Sequence, residues 1–266
     1  SNMVCHGCGH NDFDIYSTIG TEDKFDLEIQ YKLESADRKF KLKIETLQMF
    51  ISEFPSLILN DPLARKIQKE IKSKTLPSIE LKDLNCYRSR LVGGSNVFTS
   101  KDLEAPEIGI SKIGRFNHPG QSVLYLAETK ECSITEILEN YNKPALIWTQ
   151  EYKIGFIDNI LDLTIDWDRF SRLDSVLFTA ILNSSVLRKK MSKGESNWKP
   201  EYLLTNFVSD CAKEAGYEGI KYQSSRSSEK NLVIFDVKHS SIEVINKPQI
   251  FIHEPELESY ENIFDI

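Results

Sequence analysis

The sequence predicts an α+β protein in which a compact mixed-sheet domain follows a smaller, mainly helical N-terminal region. Three observations predict it. Residues 40–72 carry helical periodicity, residues 86–237 alternate short β-rich runs with amphipathic helices, and a stretch with neither period separates the two. Hydrophobic residues make up 40% of the 266 and charged residues 27%, the balance of a globular chain that can bury a sizeable core.

The clearest helix is DPLARKIQKEIK, residues 61–72, with Asp61 as N-cap, Pro62 in the first turn and Leu63, Ile67 and Ile71 on one face. Upstream, Phe40, Ile44, Leu47 and Ile51 fit a helical stripe; Phe40, Leu42 and Ile44 would also suit a short strand, and helix is the reading adopted. SKTLPSIELK, residues 73–82, has neither period and sets a boundary, giving a division into 1–80, 81–250 and a tail at 251–266. Strands are expected at CYRSRLV (86–92), SVLYLA (122–127), ALIWTQEY (145–152) and NLVIFDV (231–237). Helices are expected at 129–141, 172–187 and 200–215, the last opened by Pro200 and stopped by Gly216. The final KPQIFIHEPELESYENIFDI is acidic with interleaved aromatics, and Pro248 and Pro255 rule out one long helix; it reads as an arm that docks on its own core or on a partner.

Composition narrows the function classes. Lys and Arg total 33 against 40 acidic residues, and a net charge of -7 disfavours a nucleic-acid partner. No apolar run reaches the roughly 18 residues of a membrane span, so no membrane association is expected. Five scattered cysteines do not make a disulfide framework, which fits a reducing cytoplasm. Ser1 and Asn2 ahead of Met3 read as a cloning remnant.

Four places carry candidate chemistry. In GRFNHPG, residues 114–120, the glycines permit sharp turns and close backbone approach, while Arg115 and Asn117 offer donors; the same composition also describes an ordinary turn. Glu136 lies near the start of a helix, where it either faces a cleft or pairs with Ser133 in a capping box. Arg88 is a strand charge between Tyr87 and Ser89, either solvated or an anion clamp. Ser224 and Ser225 sit in the polar loop of IKYQSSRSSEKN.

Taken in order, Tyr87-Arg88, GRFN with Gly120, the strand VLYLA, Glu136, and GIKYQSSR followed by NLVIFD resemble the RES domain, a family named for an Arg, a Glu and a Ser. The resemblance spans roughly residues 85–237 and maps the three naming residues onto Arg88, Glu136 and Ser224, with Ser225 an adjacent alternative. It implies a compact fold similar to that of ADP-ribosylating toxins, acting on NAD+. Family members are typically bacterial toxins neutralised by an antitoxin that covers the active site; some cleave NAD+ by hydrolysis or phosphorolysis, and others transfer ADP-ribose to protein. The family's compact toxins lack an N-terminal region like residues 1–80.

The residue types suit that chemistry. Loss of nicotinamide builds positive charge on the ribose, which a fixed carboxylate such as Glu136 stabilises. A planar guanidinium grips pyrophosphate with two parallel bonds, a role for Arg88 helped by Arg115. Ser224 is expected to bond a ribose hydroxyl or phosphate, and Tyr87 or Tyr125 to face the nicotinamide. Alternatives are protein ADP-ribosylation and, in another class, a non-catalytic interaction protein that keeps the fold. Separately, Cys5, Cys8 and His10 have the spacing of a structural zinc knuckle, with His6 or a distant residue as fourth ligand; unligated cysteines are the competing reading.

Overall fold

The computed structural model describes residues 24–92, 99–138, 143–164, 173–184, 199–237 and 241–254. Cys5, Cys8 and His10, and the tail beyond Glu254, lie outside the described residues.

Helix α1, Lys24–Glu53, buries Phe40, Ile44, Leu47 and Ile51, so the helical period wins over the strand reading there. A 3-10 turn, Pro55–Asn60, leads to α2, Pro62–Lys72. Asp61 caps α2 as its sequence indicates, its Oδ1 accepting from the backbone N–H of Leu63 at 2.6 Å and Ala64 at 3.2 Å.

Strand β1, Ser78–Leu91, starts inside the stretch expected to be a boundary. A register shift between Ile79 and Leu81 and a left-handed φ of 46° at Asp83 break its alternation, which hides the first half of the strand from a period-2 reading. The remaining elements are α3 (Ser100–Leu103), β2 (Leu124–Ala127), α4 (Lys130–Leu138) and β3 (Ala145–Leu163). Then come α5 (Val176–Asn183), a 3-10 turn (Pro200–Tyr202), α6 (Leu203–Glu214), β4 (Gly219–Gln223), β5 (Lys230–Ile234) and β6 (Ile242–His253). The α+β expectation holds.

The strands form one mixed sheet in the order β1-β2-β5-β4-β3-β6, and β1 also pairs with β3. Long β3 is the hub. It runs antiparallel to β1 from Ser78↔Leu161 to Leu91↔Ile147, while β6 pairs with its first half and β4 runs parallel to its last residues, Ile160–Leu163. Pro248 of β6 falls beside the register shift between Thr149 and Glu151, a place where a missing N–H costs no ladder bond.

Apolar side chains pack on both faces of this sheet. One cluster contains Cys86, Leu124, Leu126, Ile154 and Leu232. The other joins the sheet, through Val233, Ile220 and Leu161, to the helices: Phe40, Ile44 and Leu47 of α1 and Ile67 of α2 share it with Phe178 and Ile181 of α5 and Leu204 and Val208 of α6. Asn183 Nδ2 donates to Asp37 at 3.0 Å, and Lys72 pairs with Glu214 at 2.6 Å across the same junction.

The N-terminal helices are therefore built into the core rather than hung beside it. Truncating fully buried Leu47 to Ala is expected to cost about 3 kcal/mol through lost burial and the cavity left behind. Urea unfolding followed by both far-UV and tryptophan signals should show one transition at a lower midpoint; separate transitions would mean that α1 melts independently. No helix among the described residues is long and apolar enough to cross a membrane.

Candidate active site

Strands β1 and β2 are joined at a single pair, Tyr87↔Ala127. Past that pair, β1 follows β3 while β2 follows β5, and a cleft of about 510 Å³ opens between them. Its volume suits a nucleotide-sized ligand. Arg88 and Tyr87 of β1, Tyr125 of β2, Glu136 of α4 and Asn231 of β5 line it.

Helix α4 delivers Glu136 to this cleft. Its N-cap is Thr129, whose Oγ1 accepts from the N–H of Cys132 at 3.1 Å, so Ser133 and Glu136 are not a capping box. Ser133 instead meets Ser89 of β1 at 2.7 Å, and Ser89 meets Thr149 of β3 at 2.8 Å. These three buried hydroxyls pin the helix to the two strands just beside Arg88.

The Glu136 carboxylate is held from three directions. Its Oε1 accepts from Ser224 Oγ at 2.7 Å and from Asn231 Nδ2 at 2.7 Å, and its Oε2 faces Arg226 Nε at 3.5 Å. Ser224 Oγ also accepts the backbone N–H groups of Arg226 at 3.0 Å and Ser227 at 3.1 Å. With its lone pairs so engaged, its one proton is directed at Glu136.

Arg88 is in a different condition. Its Nη1 is buried and has no hydrogen-bond partner among the described residues. Burial pulls the guanidinium down to about 10, against weaker support from Tyr152 and Tyr125, which still leaves it cationic at neutral pH. A half-buried cation whose inner nitrogen meets no anion among the described residues is costly, and an anionic ligand in the cleft would relieve it.

The other expected residues divide. Tyr125 donates its hydroxyl to Asn117 Oδ1 at 3.0 Å and accepts from the Phe116 N–H at 2.8 Å, and burial pushes its hydroxyl well above the usual range. Asn117 spends both amide protons on the carbonyls of Lys112 and His118, each at 2.9 Å, and does not line the cleft: it fixes the 114–120 loop. Gly114 is required there, since an added Cβ would fall 2.2 Å from Asn117 Oδ1 and 2.7 Å from the Tyr125 hydroxyl. Arg115 lies over the Tyr202 ring at 5.4 Å and donates to Ser225 at 3.4 Å, and neither Arg115 nor Ser225 lines the cleft. Three residues escaped the sequence reading: Asn231, Arg226 and Tyr222. Tyr222 and Arg226 stand inside the quoted GIKYQSSR and Asn231 is the first residue of the quoted NLVIFD, but none carries a local sign of a site role, because only the pairing of β4 with β5 brings Tyr222 and Asn231 opposite each other.

The RES domain family model matches residues 86–256. This chain belongs to the RES domain family. The match covers most of the chain and all of the cleft, and it begins within β1, leaving α1 and α2 outside. Among solved structures, a chain from the crystal structure of the M. tuberculosis MbcT-MbcA toxin-antitoxin complex is similar at 14% identity, covering 68% of this chain and 90% of that chain with a TM-score of 0.38. A search of curated proteins gives no match. Among the described residues of this RES protein, no group of three or more His, Cys, Asp or Glu is placed to hold a metal ion.

Proposed function

We propose that this RES protein is an enzyme that binds NAD+ in the cleft and breaks its nicotinamide–ribose bond. One observation carries the reading: a carboxylate tethered at 2.7 Å by Ser224 and Asn231 shares a cleft with a buried guanidinium nitrogen that has no partner among the described residues. The Arg88 guanidinium takes the pyrophosphate, whose charge it lacks in the free protein. Glu136, fixed before substrate arrives, faces the ribose where positive charge grows as the bond lengthens. The bonding electrons leave on the nicotinamide nitrogen, neutralising its ring, so the leaving group needs no proton. An acceptor then bonds to the ribose carbon and gives up its own proton. Tyr87 and Tyr125 offer aromatic faces along the cleft. Ser224 and Ser225 act through Glu136 and Arg115, and Asn117 through the loop that carries Arg115.

The acceptor separates glycohydrolase from phosphorylase and from protein ADP-ribosyltransferase. Purified protein incubated with NAD+, with and without inorganic phosphate, should release nicotinamide. Free ADP-ribose identifies water as acceptor, a phosphorylated ADP-ribose identifies phosphate, and label retained on protein identifies transfer; NAD+ left intact with and without phosphate overturns the reading. The family's typical biology extends the proposal to a cytoplasmic toxin that drains NAD+ and is silenced by an antitoxin covering the cleft. Induced expression should then arrest growth as NAD+ falls, and normal growth with falling NAD+ would sink the toxin role.

The proposed structural zinc at Cys5, Cys8 and His10 is tested by metal content after purification without a histidine tag. One zinc per chain, lost in Cys5→Ser, supports it.

A further inference from the structure

We infer that Asn231 is a positioning residue for Glu136 and that Cys132 sets which way its amide points. The inference rests on the proposed NAD+ cleavage for its kinetic consequence, but its geometry stands alone. Asn231 is almost wholly buried, at 4% exposure, and is the second residue of β5, directly across from Ala127 on one side and Tyr222 on the other. An amide in that place can present either its oxygen or its nitrogen to Glu136.

A chain of donors decides the question. The N–H of Glu229 donates to Ser227 Oγ at 3.2 Å, and the Ser227 hydroxyl donates to Cys132 Sγ at 3.3 Å. Cys132 then gives its thiol proton to Asn231 Oδ1 at 3.5 Å. With its oxygen occupied, Asn231 turns its Nδ2 to Glu136 Oε1 at 2.7 Å. Burial pushes the Cys132 thiol up, so it keeps the proton this chain needs. Cys132 and Glu136 are one helical turn apart on α4, so the helix that carries the carboxylate also carries the group that orients its clamp.

The consequence is directional. Asn231 and Ser224 both bind Oε1, which fixes the carboxylate plane and leaves Oε2, met among the described residues by Arg226 alone at 3.5 Å, as the oxygen turned to the reacting sugar. The other titratable groups facing Glu136 are Tyr222 from β4, Tyr202 from the turn before α6 and Cys132 from α4 itself.

Asn231→Asp keeps the shape but replaces the donor with a second carboxylate, and two carboxylates in contact cannot both ionise at neutral pH. The expected result is a kcat about 100-fold lower at pH 7, a KM within about threefold, and turnover that recovers as pH rises. Asn231→Ala removes the donor without adding charge, so kcat should fall by about tenfold with no displacement of the pH profile. A purely structural role would leave the two variants with the same profile, and that result overturns the inference. Should Asn231→Asp fail to fold, a kcat for Asn231→Ala within about twofold of the parent overturns it equally. A 13C carboxyl titration of Glu136 in the parent and in Asn231→Asp reads the contact without turnover: a displaced curve supports the clamp even if NAD+ proves not to be the substrate, and coincident curves refute it.

Discussion

Replacing Glu136 with Gln is expected to lower kcat for NAD+ cleavage by about 1,000-fold, equivalent to roughly 4 kcal/mol of lost transition-state stabilisation. The amide matches the carboxylate in shape, and its oxygen can still accept from Ser224 and Asn231, which donate at 2.7 Å each. What it loses is the negative charge that opposes the growing positive charge on the ribose. KM should change little, because the interaction matters chiefly in the transition state. Folding should also survive, so the thermal midpoint should stay within a few degrees. Steady-state rates from separated products check this, and a variant that retains turnover would remove Glu136 from the reaction.

Replacing Arg88 with Ala should act on the other kinetic constant. Loss of a charge-assisted pair to pyrophosphate is worth about 1.5–3 kcal/mol, so the NAD+ dissociation constant should rise by roughly 10- to 100-fold. The stability effect has the opposite sign from that of an ordinary buried residue. Arg88 Nη1 is buried without a partner among the described residues, so its removal relieves a desolvation cost instead of breaking a bond. The variant should therefore bind substrate weakly yet melt no lower than the parent. Calorimetric titration and thermal unfolding test the two halves together. Unchanged affinity would show that the pyrophosphate rests elsewhere, and Arg88→Lys is not expected to restore binding, because an ammonium cannot make two parallel bonds.

How far these features were legible depends on whether the signal is local. Helix α2 could be read because Asp61, Pro62 and the stripe Leu63, Ile67 and Ile71 all lie within twelve residues and bury one face. Strand β6 could not: Val244, Ile250, Phe251 and Ile252 remain exposed, so it has no core face to impose an alternating pattern, and it is held to β3 by backbone pairing. The same applies to β4, only five residues long and recognisable only once β3 and β5 flank it.

The site shows the same division. The order of Arg88, Glu136 and Ser224 along the chain matched a family pattern even though each alone had an ordinary explanation. For Glu136 that explanation, a capping box with Ser133, failed because α4 begins four residues earlier than the motif implies and Thr129 is the cap. Asn231 and Cys132 stayed hidden because their significance is a contact between residues 99 positions apart.

The shared core of α1, α5 and α6 has a consequence for synthesis. Asp37 emerges from the ribosome 146 residues before Asn183, its hydrogen-bond partner. At ordinary elongation rates the nascent N-terminal segment waits on the order of ten seconds for the surface it must cover. During that interval its apolar stripe is open to chaperones, and strands β4 and β5, which bring Ser224 and Asn231 to the carboxylate, have not yet been translated. A ribosome-bound fragment that stops short of β4 and β5 therefore carries Glu136 without the two groups that tether its carboxylate.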